Sequence, residues 1–302
     1  MDNNVKHTVT ARRNPTTEDD ITAEVLRRIE RTPDPRLRRI MGSLVKHLHA
    51  FVKDVQLTEP EWFAGIKFLT DTGHMSNDIR QEFILLSDVL GVSMVVDLLN
   101  HRKPEGATES TVFGPFHREG APELPNGANM APSDPNGMPA VVCGHVKNLK
   151  GEPVAGALLD VWQCDSTGLY DQQYEDNSKI RMRGKFHSDT HGRFVIHTSR
   201  PVAYQIPNDG PVGKLLRATE RHAWRPAHIH FVVSADGYEP VTTHIFDAVD
   251  KYLESDAVVA VKQSLISTFV EHKTADEAAE RFGMKPPFCT TEFDFVLKPA
   301  HH

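Results

Sequence analysis

Cysteine is scarce in this sequence. Its three cysteines, Cys143, Cys164 and Cys289, are far apart, odd in number and form no C-x-x-C pair. A disulfide framework and a structural zinc site are therefore not expected. This usage fits a reducing compartment, and we predict a cytoplasmic protein.

Long apolar runs and an excess of positive charge are also lacking. No segment approaches the roughly 18 apolar residues that a bilayer span needs, and the opening "MDNNVKHTVTARRNPTTEDD" has no apolar run typical of a signal peptide. A net charge of -7 favours neither nucleic acid nor an anionic membrane as a partner. With 39% hydrophobic residues in 302, we expect a soluble globular protein with one large domain or two smaller ones.

Helical signals fill the first hundred residues. Thr17 can cap a first helix, with Asp20 three residues on forming an imperfect capping box. A wide apolar stripe follows over residues 37–52, and "LTEPEWF" opens a third helix at Thr58. A further helical region is expected to break near Gly91. We predict a helical domain over residues 1–103 whose apolar stripe packs on the β domain or forms a contact with a second subunit.

The pattern changes at about residue 103. A stretch rich in Gly, Pro, Asn and Ser predicts a loop, and short alternating strands follow Ala140. A helix or two is expected near residues 258–282. The predicted fold is mainly β with a helical N-terminal part, and residues 104–302 form a β-sandwich catalytic domain.

The segment "RPAHIHF", residues 225–231, places His228 and His230 two positions apart. In a strand such residues point to the same side, and two buried imidazoles are costly without partners. A metal ion is one shared partner, and imidazole suits zinc, copper, iron and nickel alike. The alternative is a pair of structural histidines with separate hydrogen bonds.

Tyrosine offers further candidate ligands. Only five occur, of which Tyr170 follows a strand and Tyr204 lies before a Pro/Gly loop. A phenol ionises near pH 10, but an adjacent metal charge lowers that value greatly, and a ferric ion favours an anionic oxygen. The alternative is that both are loop tyrosines whose hydroxyls reach the surface.

Several segments together resemble the intradiol ring-cleavage dioxygenases, in order and spacing, from about residue 17 to the C-terminus. They are "ATESTVFGPF", "GALLDVWQCDSTGLYD", "RGKFHSDTHGRFVIHTSRPVAYQIPNDGPVG" and "RPAHIHFVVSADGYEPVTTHIF". The resemblance implies one non-haem Fe(III) per subunit, held by Tyr170, Tyr204, His228 and His230. Tyr174 is the rival for the first position.

The resemblance also implies a mechanism. A catechol-type substrate binds as a dianion and displaces a hydroxide and Tyr204, which take up its two protons, while Tyr170 stays bound. Dioxygen then opens the ring between the two hydroxyl-bearing carbons, and both oxygen atoms enter the product. Arg225 is expected to stabilise negative charge on the substrate ring.

The substrate pocket is implied by the same likeness. Its expected walls are Leu85, Asp88, Val112, Phe113, Gly114, Pro115, Phe116, Ile206, Pro207 and His244. Asp88 could hold a third ring hydroxyl, and His244 stands where catechol-cleaving relatives tend to carry glutamine. Both features favour hydroxyquinol (1,2,4-trihydroxybenzene), cleaved to 3-hydroxy-cis,cis-muconate, whose keto form is maleylacetate. Catechol or a chlorocatechol is the alternative substrate.

Two further expectations concern assembly and class. The resemblance implies a homodimer built on the N-terminal helices, with a phospholipid possible at the interface. "GHVKNLKGEPVAGALLDVW" also resembles transthyretin-like β-sandwich modules, which bind without catalysis. That non-enzymatic interpretation requires that the tyrosines and histidines do not converge.

Overall fold

The computed structural model describes residues 17–78 and 80–300 and divides the chain into two compact units, residues 1–69 and 70–302. The domain boundary predicted after residue 103 thus lies within the second unit. Residues 1–16, where no signal peptide was predicted, and the terminal His301 and His302 lie outside the described residues.

Seven helices occur in the described residues. Thr17 caps the first with the expected capping box, and Gly91 takes a left-handed conformation (φ 72°) where the break was predicted. None of the described helices combines the length and apolar character that crossing a membrane requires. In chain order the helices are α1 (Glu18–Ile29), α2 (Pro35–Asp54), α3 (Glu59–Met75), α4 (Glu82–Val89), α5 (Val92–Asn100), α6 (Pro211–Ala218) and α7 (Glu277–Phe282).

The apolar stripe of α2 is exposed in the isolated chain. Its members recur every three or four residues, which places them on one face of the helix, and each is between 46% and 55% exposed: Leu37, Ile40, Leu44, Leu48 and Phe51. An apolar face of this extent marks an interaction surface rather than an ordinary solvated one.

The strands of the second unit form two five-stranded sheets and a short ribbon. One sheet has the order β10-β11-β1-β12 with β4 also paired to β1, the other β3-β2-β7-β8-β9, and β5 pairs with β6. The strands are β1 (Pro139–Asn148), β2 (Leu158–Trp162), β3 (Arg183–His187), β4 (Arg193–Ser199), β5 (Tyr204–Gln205), β6 (Trp224–Arg225), β7 (His228–Ser234), β8 (Val241–Asp247), β9 (Ile266–Ser267), β10 (Val270–His272), β11 (Phe288–Glu292) and β12 (Phe295–Leu297).

The two large sheets enclose one apolar core, which confirms the predicted mainly-β fold with a helical N-terminal part. Ile229, Phe231 and Val233 of β7 enter this core together with side chains of β1, β4 and β12. Strand alternation then directs His228 and His230 to the opposite face of β7. The candidate site therefore lies outside the sandwich core, on the outer face of its sheet.

The helix predicted near residues 258–282 is largely wrong. Only α7 at the end of this range is an α-helix, whereas the rest is loop, a single 3-10 turn and the strands β9 and β10. Ala257, Val258 and Ala260 are buried against the cluster of apolar side chains around the two candidate tyrosines. Burial makes such a run apolar throughout, so periodicity cannot distinguish it from a buried helix.

Candidate active site

His228 and His230 project side by side from β7. Both are 1% exposed, and the Nδ1 atom of His228 lies 2.6 Å from the carbonyl oxygen of Pro226. A carbonyl only accepts, so Nδ1 of His228 carries the proton and its Nε2 is unprotonated and acts as an acceptor. That Nε2 lies 3.1 Å from Nε2 of His230.

Tyr204 is placed by the short β5–β6 ribbon. It is the register partner of Arg225, which directly precedes the turn into β7 through Pro226. Nη1 of Arg225 donates to the Tyr204 hydroxyl at 3.4 Å and reaches Nε2 of His228 at 3.2 Å. The ribbon therefore delivers a phenol and a cation to the same point as the histidines.

Tyr170 is placed by the turn after β2. Asp165 accepts the backbone N–H of Thr167 at 2.9 Å and of Leu169 at 3.3 Å, which closes the turn. Gly168 has φ +82°, and a Cβ there would lie 3.3 Å from Cβ of Tyr204. Glycine thus permits both the left-handed turn and the close approach of the two tyrosine segments. The Tyr170 ring stacks on Phe116, with centroids 4.4 Å apart.

Four candidate donor atoms converge in this way. The Tyr170 hydroxyl lies 3.1 Å from Nε2 of His230, and the rings of Tyr170 and Tyr204 meet edge to face with centroids 5.2 Å apart. Two nitrogens bound at about 2.0–2.1 Å to one metal lie roughly 3 Å apart, close to the separation of the two Nε2 atoms. The donor set fits a metal ion that accepts both imidazole and phenolate.

The pKa shifts at the site indicate that its tyrosines ionise only beside an additional cation. Burial raises the pKa of Tyr170 well above its usual value of 10 and raises that of Tyr204, although the Arg225 charge partly opposes the rise at Tyr204. Burial lowers the pKa of His228 and His230 well below 6.5. Without a metal the site holds neutral phenols and neutral imidazoles, and phenolates require the additional positive charge.

Arg225 is a buried cation with a buried partner. Its Nε lies 3.2 Å from a carboxylate oxygen of Asp256, and both side chains are at most 3% exposed. Asp256 also accepts the backbone N–H groups of Val258 at 3.3 Å and Ala260 at 3.0 Å. These bonds hold the guanidinium against the Tyr204 hydroxyl.

Four of the ten expected wall residues lie in one apolar cluster with both tyrosines. This cluster contains Leu85, Val112, Phe116 and Ile206. Of the remaining expected wall residues, Gly114 lies against His230, since a Cβ at this position (φ +76°) would meet the imidazole Cε1 at 3.2 Å. Phe113 is 46% exposed, and Pro115 and Pro207 are half-buried.

Asp88 lies on α4 and is 4% exposed. Burial raises its pKa, while a hydrogen bond from Ser93 and the positive charge of Arg225 act in the opposite direction. A carboxyl group thus lies within electrostatic reach of the guanidinium, on the helix that supplies Leu85 and Val89 to the apolar cluster.

His244 lies behind His230 in the neighbouring strand. Its Nε2 is 2.7 Å from Nδ1 of His230, and its Nδ1 is 2.8 Å from the hydroxyl of Thr111. Both of its ring nitrogens therefore have protein partners, one of them the candidate ligand His230, and its contact with the substrate stays a prediction.

Three residues at the site were not predicted from the sequence: Thr111, Asp256 and Trp162. The indole ring of Trp162 stacks on the imidazole of His230, with ring centroids 4.7 Å apart. Only Trp162 carried a signal, because strand alternation separates it from the core residues Leu159 and Val161.

The rival Tyr174 lies apart from the donor set. Its hydroxyl donates to Asp165, and the guanidinium of Arg181 lies over its ring at 4.4 Å from the centroid. Among the two candidates for the first tyrosine position, Tyr170 is the one that joins the histidines.

Comparison with known families identifies the class. Residues 112–299 match the family profile described as Dioxygenase, and residues 34–108 match Catechol dioxygenase N terminus. The chain belongs to the intradiol ring-cleavage dioxygenases, an iron-dependent family, and is an enzyme. The non-enzymatic alternative is thereby excluded.

The chain is also similar to individual members of this family. The chain is 50% identical to 6-chlorohydroxyquinol 1,2-dioxygenase of Cupriavidus pinatubonensis, covering 93% of this chain and 97% of that one. It is 47% identical to hydroxyquinol 1,2-dioxygenase of a Rhizobium species, over 90% and 92% of the two chains. The solved structure of hydroxyquinol 1,2-dioxygenase from Pseudomonas putida superimposes with a TM-score of 0.88 at 49% identity, covering 94% of this chain and 99% of that one.

Proposed function

We propose that the protein cleaves hydroxyquinol with dioxygen between its two adjacent hydroxyl-bearing carbons. The product is 3-hydroxy-cis,cis-muconate, which tautomerises to maleylacetate, and both oxygen atoms of O2 enter it. The convergence of two tyrosines, two histidines and an arginine beside a buried carboxyl group supports this proposal most. The names of the relatives that are 47% and 50% identical support the choice of hydroxyquinol.

The proposed cofactor is one Fe(III) per chain, held by Tyr170, Tyr204, His228 and His230. Bound there, ferric iron supplies a Lewis acid that ionises the diol and draws electron density from its ring. Hard ferric iron matches anionic oxygen donors, which the two phenols provide.

Proton uptake is assigned to Tyr204. Its hydroxyl lies next to Arg225, and the exposed fraction of its side chain is 3%, so a proton accepted from the diol is held away from solvent. Arg225 stabilises the phenolate before this transfer and negative charge on the substrate ring after it. Asp256 keeps the guanidinium in position for both roles.

Substrate choice is assigned to Asp88. Leu85, Val112, Phe116 and Ile206 provide an apolar slot for the ring. Within such a slot the third hydroxyl of hydroxyquinol needs a polar partner, and Asp88 is that partner. Catechol has no third hydroxyl and gains nothing from Asp88. Phe113, Gly114, Pro115 and Pro207 complete the proposed wall.

The test is oxygen uptake by purified protein of measured iron content, with hydroxyquinol, catechol and a chlorinated hydroxyquinol as substrates. We expect one iron per chain, fastest turnover of a hydroxyquinol, and maleylacetate as product. Preference for catechol would assign the chain to the other substrate branch, and an iron-free, inactive preparation would contradict the proposed centre.

A pair of tyrosine variants tests the ligand assignment. Tyr204→Phe should shift or bleach the visible ferric-phenolate band and lower turnover by about 100-fold, the lower end for losing a positioned proton-transfer group. Tyr174→Phe is the matched control and should keep the colour and the rate. Equal spectra in both variants would refute the assignment of Tyr204.

We also propose a cytoplasmic homodimer. The exposed stripe of α2 supports it, because a second copy would bury Leu44 and Leu48, which are 46% and 51% exposed. Sedimentation should show a dimer that Leu48→Glu weakens. A phospholipid between the subunits would appear by mass spectrometry of an organic extract, and its absence would leave a lipid-free dimer.

A further inference from the structure

The hydrogen-bonding chain behind His230 runs across two strands. His244 is the register partner of His230, and their rings meet edge to face with centroids 4.2 Å apart. Nε2 of His244 lies 2.7 Å from Nδ1 of His230, and Thr111 lies 2.8 Å from the other nitrogen of His244. His230 and His244 are 1% and 0% exposed, so solvent does not compete for these bonds.

From this geometry we propose that His244 is a positioning residue, which fixes His230 in the tautomer and orientation that leave Nε2 free for a metal. The inference rests on the proposed iron centre. It assigns His244 to the support of a ligand, in addition to any contact with the substrate.

The direction of the hydrogen bonds decides the tautomer. If His230 donates from Nδ1 to His244, then His244 donates to the Thr111 hydroxyl, which can donate to the Val112 carbonyl at 3.4 Å. If the chain runs the other way, His230 carries its proton on Nε2, where it blocks a metal. His244 supplies the acceptor that makes the first arrangement possible, as hydrogen-bonded partners of metal-binding histidines do.

The same chain joins the metal ligand to the pocket wall. The Thr111 backbone N–H donates to the carbonyl of Thr242 in β8 at 2.9 Å, and Thr111 directly precedes Val112. Gly114, two residues further along, approaches His230. The orientation of His230 and the position of the expected wall segment are therefore coupled through β8.

The rival role for His244 is that of a third histidine ligand. Ligand atoms of His228, His230 and His244 all lie within 4.8 Å of one another. However, 2.7 Å between His244 Nε2 and His230 Nδ1 is a hydrogen-bond distance, shorter than the roughly 3 Å expected for two nitrogens on one metal. Nδ1 is also the nitrogen of His230 that does not face Tyr170, since Nε2 makes that contact.

The experiment compares iron loss to a chelator from the purified holoprotein and from three variants, with the visible band recorded on each. His244→Leu removes the acceptor, and we expect iron loss about 10- to 100-fold faster, the range for mutated partners of metal ligands. His244→Gln keeps an acceptor oxygen for His230 and an amide donor for Thr111, so it should stay within about threefold of the parent. Thr111→Val should fall between them, because it removes only the outer bond.

The iron-loss rates distinguish a positioning role for His244 from a ligand role and from no role. Parent-like iron retention and an unchanged band in His244→Leu would overturn the inference. So would loss of iron from His244→Gln as fast as from His244→Leu, which would make His244 a ligand. If His244→Leu does not fold, Thr111→Val decides, and a parent-like rate there would also overturn it. A parent protein without iron would instead refute the proposed centre itself.

A second readout is independent of turnover and of bound iron. In iron-free protein labelled with ¹⁵N-histidine, NMR should show His230 protonated at Nδ1 in the parent and in His244→Gln. His244→Leu should move that proton to Nε2, facing the lone pair of His228. The same tautomer in all three proteins would contradict a positioning role.

Discussion

Replacing Asp88 with alanine tests how the pocket separates hydroxyquinol from catechol. The carboxyl group is 4% exposed on α4 and lies within electrostatic reach of Arg225. In the proposed complex it bonds the third ring hydroxyl, a group that catechol lacks. Asp88→Ala leaves that hydroxyl in an apolar slot without a partner, whereas a bound catechol loses nothing.

The expected magnitude follows from burial. A buried polar group without a partner costs about 1–3 kcal/mol, which corresponds to a roughly 5- to 150-fold fall in the ratio of kcat/KM for hydroxyquinol to kcat/KM for catechol. Asp88→Asn retains hydrogen-bonding capacity without the charge and should show a smaller fall. Both variants keep the candidate iron ligands, so their iron content should match the parent.

The assay is oxygen uptake under limiting substrate, with each rate divided by the iron content of the same sample. A ratio in Asp88→Ala within twofold of the parent would refute the role of this carboxyl group. A loss shared equally by both substrates would show that Asp88 supports the fold of the pocket and does not select the ring.

Three further predictions concern stability and the support of the site. Burial raises the pKa of Asp88 above its usual 3.8, so the folded chain loses stability as pH rises from the unfolded-state pKa through the folded-state pKa. Asp88→Asn removes this loss and should raise the urea midpoint at pH 7, by an increment that shrinks towards pH 4. An increment that stays constant with pH would contradict this. Asp256→Ala leaves Arg225 buried without its counter-ion and should lower the free energy of unfolding by about 3–5 kcal/mol, whereas a loss below about 1 kcal/mol would mean that the cation finds another partner. Gly114→Ala should both destabilise the fold and speed iron loss, because its Cβ would press on His230. The control Gly127→Ala has similar backbone strain (φ +89°) but open space around its Cβ, so it should lower stability without affecting iron loss. Equal iron retention in the two variants would refute the contact between Gly114 and His230.

The sequence could predict those features that depend on local periodicity. Strand alternation in "RPAHIHF" separates His228 and His230 from Ile229, and the structure places Ile229 in the sandwich core with the histidines opposite. Arg225 is three residues before His228, so alternation alone would direct it to the other face, but it lies in a separate ribbon that turns it towards His228. The predictions of an intradiol dioxygenase and of its fold class are confirmed.

Periodicity could not predict features that depend on contacts between residues far apart in the sequence. Tyr170 and Tyr204 meet through a glycine turn and a two-stranded ribbon, so only the family resemblance linked them to the histidines. Asp256 supports Arg225 from a loop distant in the sequence, just before the range 258–282 that was predicted to be helical. The bond between His244 and His230 likewise requires the register of β8 against β7, which no local pattern supplies.

In the proposed centre, two phenols and two imidazoles hold a ferric ion that a vicinal diol chelates. Anaerobic titration of the purified protein with hydroxyquinol, followed by visible absorption, is the most direct test of this centre. We predict a red-brown protein whose band shifts and saturates at one hydroxyquinol per iron, with no shift on adding resorcinol, whose 1,3-hydroxyls cannot chelate. A colourless protein, or a band that hydroxyquinol leaves unchanged, would contradict it.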